Sequence, residues 1–140
     1  MNDGDVVFRP VGVIHTDHVA PEHTPRQPAL ATDCAGRVEV YPEFAEGLRD
    51  LERFSHIYLL FHLDRTGPTK LLVKPPRQKV ARGLFATRAP HRPNPIGMSI
   101  VRLDRREGAT LHVTGADMLD GTPLLDIKPY TRRFDLIPEA

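Results

Sequence analysis

The sequence predicts a mainly all-β protein, a barrel or a sandwich carrying one or two short helices. Three observations lead there. Fourteen of the 140 residues are proline, about twice the usual ~5%; each fixes φ, removes an N–H and drives its predecessor towards extended geometry, which works against long helices. Short runs of strand-forming residues recur along the chain between turn signals, the pattern of a barrel or sandwich. No linker or internal repeat divides residues 1–140, a length that suits one domain.

The elements follow in order. Val6 to His15 is rich in β-branched residues and reads as a strand broken or bulged at Pro10. His18 to Thr32 contains three prolines and few strand formers, giving a long surface loop. Gly36 to Tyr41 alternates as a half-buried strand should. Glu43 to Leu51 places Phe44, Leu48 and Leu51 at helical spacing and is the best helix. Phe54 to Leu63 is the most hydrophobic stretch and predicts a central strand buried on both faces, with helix as the alternative. Leu71–Val73, Gly83–Thr87, Ile96–Leu103, Thr110–Thr114 and Leu124–Ile127 complete the set as short strands.

Composition excludes several function classes. Hydrophobic residues at 40% and charged residues at 26% are ordinary for a globular chain, and no apolar run approaches the ~18 residues of a membrane span. No secretory signal pattern is visible, and the lone Cys34 has no internal disulfide partner, so the expectation is a reducing cytoplasm. No two glycines stand two apart, which removes the glycine-rich dinucleotide and P-loop fingerprints. Seven histidines form no H-x-H, HExxH or Cys/His cluster, and no metal is expected.

Charge is informative in its distribution. The net charge is only +1, yet Lys70, Lys74, Arg77, Lys79, Arg82, Arg88 and Arg92 fall in a stretch with no carboxylate. That stretch is either a positive patch for phosphate or RNA or a solvated basic loop. Within Thr87 to Ser99, Pro90, Pro93 and Pro95 stiffen a loop bearing Arg88, Arg92 and Asn94. Such a loop either presents these side chains to a ligand with little entropy lost or forms a rigid corner whose arginines cap carbonyls. In Leu119 to Tyr130, Asp120 and Gly121 form a turn dipeptide, and Asp126 and Lys128 share one strand face, as either a local ion pair or a catalytic pairing.

RPVGVIHT, PRQPAL, FSHIYLLF, VKPPR, GLFATRAPHRPNPIGMS and DGTPLLDIKPY resemble, in order and along nearly the whole chain, the TrmO family, also called TsaA-like or YaeB-like. The resemblance implies a single-sheeted β-barrel that binds S-adenosylmethionine outside any Rossmann fold. It also implies methylation of the exocyclic N6 amine of threonylcarbamoyladenosine beside the tRNA anticodon, and a homodimer. Carried over, the cofactor contacts fall at Arg26, Gln27 and Pro28, at Asp64 and Arg65, at Arg88 and Met98, and at Asp120, Gly121, Thr122 and Pro123. Arg92, Asn94 and Pro95 shape the same pocket, and Asp120 or Asp126 is the candidate general base.

Two departures from the family pattern bear on function. Asp64 stands where many relatives carry a histidine after the buried strand, with His62 as a substitute. The C-terminal extension of the longer bacterial enzymes is absent from these 140 residues, which leaves an S-adenosylmethionine-binding module or a small-molecule methyltransferase as the alternative reading.

Overall fold

Six antiparallel strands close into a barrel in the computed structural model, which describes residues 3–18 and 34–140. They are β1 (Gly12–His15), β2 (Ala35–Val40), β3 (His56–His62), β6 (Ile96–Glu107), β7 (Thr110–Thr114) and β8 (Thr122–Pro129). Around the barrel the order is β1-β2-β7-β6-β3-β8, with β8 pairing back onto β1. Two further strands, β4 (Leu72–Val73) and β5 (Arg82–Gly83), pair with each other as a separate two-stranded sheet. The all-β barrel expected from the sequence is the architecture found. Arg26, Gln27 and Pro28, and most of the proline-rich loop that holds them, lie outside the described residues.

Alternation builds the core. Val38 and Val40 of β2, Ile57, Leu59 and Phe61 of β3, Val101 and Leu103 of β6, and Leu111 and Val113 of β7 all point inward and are buried. Side chains one residue to either side face out, so a one-residue slip of any ladder would put this apolar set into water. Gly97 shows how tightly the layers fit: a Cβ there would collide with the Phe61 ring. Two irregularities bend the wall, one between Leu60 and Phe61 against β8 and one between Leu103 and Arg105 against β7, as bulges do in barrels.

Antiparallel pairing gathers the connections at two ends. One end carries 3-10 turns at Pro42–Leu48 and Leu51–Arg53; there Arg106 Nε donates to Glu52 at 2.7 Å and holds that carboxyl below its ordinary range. The other end receives the finishes of β1, β3 and β7 and the starts of β2, β6 and β8. That end holds the candidate site.

Several elements differ from expectation for identifiable reasons. The helix expected over Glu43–Leu51 is two 3-10 segments, because Asp50 adopts a left-handed φ of 70° that interrupts the turn. The first strand is only Gly12–His15, since residues before Val11 are mostly exposed and have no ladder partner among the described residues. β3 is buried on one face only, with Ile57, Leu59 and Phe61 inside and Tyr58 and Leu60 half-buried outside. Gly83–Thr87 is not a strand: after β5 the chain turns in a 3-10 segment, Leu84–Ala86, that drops Leu84 into the interior. A short α-helix, α1 (Arg132–Asp135), was not anticipated; Asp135 accepts the Thr131 N–H at 2.7 Å and closes its single turn.

Candidate functional site

The loop from Gly115 to Gly121 is stitched to the chain leaving β1. Gly121 N–H donates to Ile14 O at 2.8 Å, Asp120 N–H to His18 O at 2.7 Å, and Thr16 Oγ1 to Met118 O at 2.8 Å. His18 Nε2 donates to Ala116 O at 3.0 Å, since a carbonyl can only accept. The Asp120 carboxylate in turn accepts the Thr16 N–H at 3.1 Å and lies 3.4 Å from His15 Nδ1. Gly121 has a φ of 83°, a backbone position that glycine takes without steric cost, so the Asp-Gly turn read from the sequence is the turn formed.

A second segment arrives from β3. Arg65 Nη2 donates to Thr122 Oγ1 at 3.1 Å while its Nε donates to Asp64 Oδ1 at 3.2 Å. Thr122 Oγ1 itself donates to Leu119 O at 2.6 Å. These bonds unite Asp64, Arg65, Asp120, Gly121 and Thr122, and with them the start of Pro123 in β8, in one neighbourhood.

The third contribution comes from β6. Ser99 is an inward position, buried, and its hydroxyl donates to Asp117 Oδ1 at 2.7 Å. Burial pushes the Asp117 carboxyl above its ordinary range, opposed by the Ser99 hydrogen bond and by positive charge at His18 and Arg88. Arg88 lies in the loop that leads into β6, whose start is at this same barrel end.

The proline loop before β6 is held by its own arginine. Arg92 Nη1 donates to Thr87 O at 3.0 Å and Ala89 O at 2.9 Å, and its guanidinium lies 5.7 Å from the centre of the Phe85 ring. Asn94 O and Pro95 O accept the N–H groups of Ile96 and Leu63, both at 2.7 Å. Arg92 therefore does what the rigid-corner alternative required, capping carbonyls, and the loop it fixes is the one that carries Arg88.

Two candidates stand elsewhere. Met98 and Asp126 lie on the outside of the barrel in one row with Leu60, which is in register with both. Asp126 is half exposed and pairs with Lys128 at 3.2 Å, the local ion pair that the strand geometry allowed. A shallow cleft of about 400 Å³ opens on the outer side of β1, β2 and β7, bordered by His15, Thr16, Arg37, His112 and Asp120. Of the candidates among the described residues, only Asp120 borders it. Among the described residues no three His, Cys, Asp or Glu side chains are grouped to hold a metal ion, and no helix is long and apolar enough to cross a membrane.

Comparison with known proteins turns this geometry into an assignment. The family described as the tRNA-methyltransferase O N-terminal domain matches residues 13–136. The chain belongs to this TrmO family. A Pyrococcus abyssi protein named "Probable S-adenosyl-L-methionine-binding protein" is 52% identical over 131 residues, covering 94% of this chain and 71% of the relative. The human tRNA (adenine(37)-N6)-methyltransferase is 37% identical over 142 residues, covering 96% of this chain but 32% of the enzyme. The crystal structure of TrmO from Pseudomonas aeruginosa superposes with a TM-score of 0.82 at 41% identity, over 97% of this chain and 60% of that one. This chain thus spans about a third of the human relative and under two thirds of the solved TrmO.

Within this TrmO domain, the sequence reading passed over Ser99, Asp117, Thr16 and His18. A signal for Ser99 was present: it occupies the inward phase of a strand whose next inward residues are Val101 and Leu103, and a hydroxyl in such a row needs a partner. Asp117 had no comparable signal, because its burial arises from a loop folding over the barrel end.

Proposed function

We propose that this chain is an S-adenosylmethionine-dependent methyltransferase acting on tRNA, with the N6 amine of the threonylcarbamoyladenosine next to the anticodon as acceptor. One observation carries the reading: in a TrmO-family barrel, Asp64–Arg65 and the Leu119–Thr122 turn are locked together beside the Ser99–Asp117 pair. The name of the human relative supports the tRNA acceptor, and that of the archaeal relative supports the cofactor.

The donor set at this barrel end suits such a cofactor. Bound there, S-adenosylmethionine would supply an electrophilic methyl group on a sulfonium cation. Asp117, Asp120 and the loop carbonyls favour a nearby positive charge, whereas Arg65, oriented by Asp64 and Thr122, offers guanidinium hydrogens to a carboxylate. Stitching of the loop to β1 fixes these groups beforehand, and positioning of this kind supplies much of the acceleration of an in-line displacement. Asp120 is the carboxylate we assign to accept the amine proton; Asp126, paired with Lys128 on the outer wall, is the lesser candidate. Arg26, Gln27 and Pro28 complete the proposed cofactor contacts.

We further propose a cytoplasmic homodimer packed through the outer face of β3 and β6. Ile96, Met98 and Ile100 are all exposed there beside half-buried Tyr58 and Leu60, an apolar row that a second copy would cover.

Calorimetry with S-adenosylmethionine, paired with transfer of labelled methyl to tRNA containing or lacking threonylcarbamoyladenosine, tests the function. Binding is expected, with at least about tenfold weaker affinity in Arg88→Ala, or ~1.4 kcal/mol, and label is expected only in the modified tRNA. Binding without transfer would favour a cofactor-binding module, and no binding would end both readings.

A further inference from the structure

The longest stretch without a carboxylate runs from Arg65 to Leu103, and its middle leaves the barrel as an arm. β4 and β5 form a two-stranded ladder, Leu72 opposite Gly83 and Val73 opposite Arg82. At the base of the arm, Leu84 N–H donates to Leu71 O at 2.9 Å and the Leu84 side chain is buried. Lys70 N–H donates to His91 O at 3.2 Å, tying the arm to the loop that bears Arg88. The arm therefore rises from the barrel end that holds the candidate site.

Its side chains are built for a polyanion. Lys70, Lys74, Arg77, Lys79 and Arg82 are all exposed, and none forms an ion pair among the described residues. Elsewhere on the barrel the pattern is different: Arg37, Arg102, Arg105 and Arg106 each have a carboxylate within 4 Å. Among the described residues the positive charge of the arm is thus uncompensated, while that of the wall is neutralised locally. The tip adds a second sign. Gln78 N–H donates to Pro75 O at 3.1 Å, closing a turn in which Pro76 is followed by Arg77 at a φ of 64°. A glycine would relax at that position; the chain instead places a guanidinium at the outermost point of the arm.

Aromatic surface accompanies the charge. Phe85, at the foot of the arm, is 77% exposed, with Arg92 alongside its ring. A basic track leading to an exposed aromatic face fits single-stranded or loop RNA, where phosphates are neutralised and an unstacked base rests on a ring. A protein ligand would leave the cations of the arm without a periodic partner.

We propose that the arm from Lys70 to Phe85 is the RNA-binding element, gripping the phosphate backbone of the substrate and delivering an unstacked base to the barrel end. This inference rests on the tRNA reading above, and the two are separable by experiment. Binding of total tRNA to the full chain is measured between 50 and 200 mM salt, on the order of the range over which phosphate contacts respond. The triple variant Lys74→Ala/Lys79→Ala/Arg82→Ala is compared with wild type and with the charge-preserving Lys74→Arg/Lys79→Arg/Arg82→Lys. The alanine variant is expected to lose at least about tenfold in tRNA affinity, and its log–log salt slope to fall by about 2 to 3. Affinity for S-adenosylmethionine should stay unchanged, which also reports folding, and the charge-preserving variant should bind tRNA as wild type does. An alanine variant with wild-type slope and affinity would overturn the role of the arm while leaving the tRNA reading intact. Wild type that binds no tRNA would overturn both.

Discussion

Asp117 concentrates the residue-scale physics of this domain. Its carboxyl is partly buried at a barrel end, and a neutral hydroxyl, Ser99, is its direct hydrogen-bond donor. A carboxyl whose folded pKa is raised stabilises the protein fully below its unfolded pKa, and that contribution is lost as pH rises through the folded value. Asparagine keeps an acceptor for Ser99 without the charge. Asp117→Asn is therefore expected to melt above wild type at about pH 8, with the gap narrowing as pH falls towards about 4. Thermal melts across that range check it, and a gain that grows towards acid would refute it. Weakened S-adenosylmethionine binding in the same variant would show that this partly buried charge serves the ligand at some cost to the fold. Glu107 and Glu52 behave oppositely: Arg105 and Arg106 hold their carboxyls low, so whatever they contribute is lost as pH falls.

At the scale of elements, Gly97 and Phe61 set how closely β6 and β3 approach. An alanine at Gly97 would bring its Cβ within 2.8 Å of Phe61 Cδ2, and Phe61 is buried with Leu59 and Ile57 beneath it. Gly97→Ala should cost about 1–3 kcal/mol in denaturant titration, and Phe61→Leu in the same chain should recover part of it. This contact also shows what the sequence could tell. Strands with one buried face were legible from alternation: Gly36–Tyr41 was expected and Ala35–Val40 is found, and Thr110–Thr114 coincides. Elements decided by single backbone angles were not. Nothing in Glu43–Leu51 announces the left-handed Asp50, and Gly83–Thr87 reads as extended until the Leu84 side chain is seen to turn inward. The site divides the same way. The Asp-Gly turn was legible because its chemistry is local, whereas Arg65 meeting Thr122 across 57 residues depends on the barrel having closed.

At the scale of the whole molecule, a closed barrel has no free strand edge, so a second copy cannot add by extending the main sheet. Association has to use side-chain faces. Ile100→Glu places a carboxylate in the middle of the exposed apolar row of β6, on the outside where no core contact is lost. Light scattering should report a dimer for wild type and a monomer for this variant, with little change in melting temperature. A wild-type monomer would remove the proposed interface.

The seam between β1 and β8 has a kinetic meaning as well. It is a short ladder, Gly12 to Ile14 against Leu124 to Thr122, joining parts of the chain more than a hundred residues apart. Contacts of such separation form late, because the chain must be largely ordered before closing the loop is rewarded. Thr122 and the turn before it belong to that seam, so the site is assembled in the same event that completes the barrel. A partly folded chain would thus hold a wall of paired strands and still have no place for a ligand.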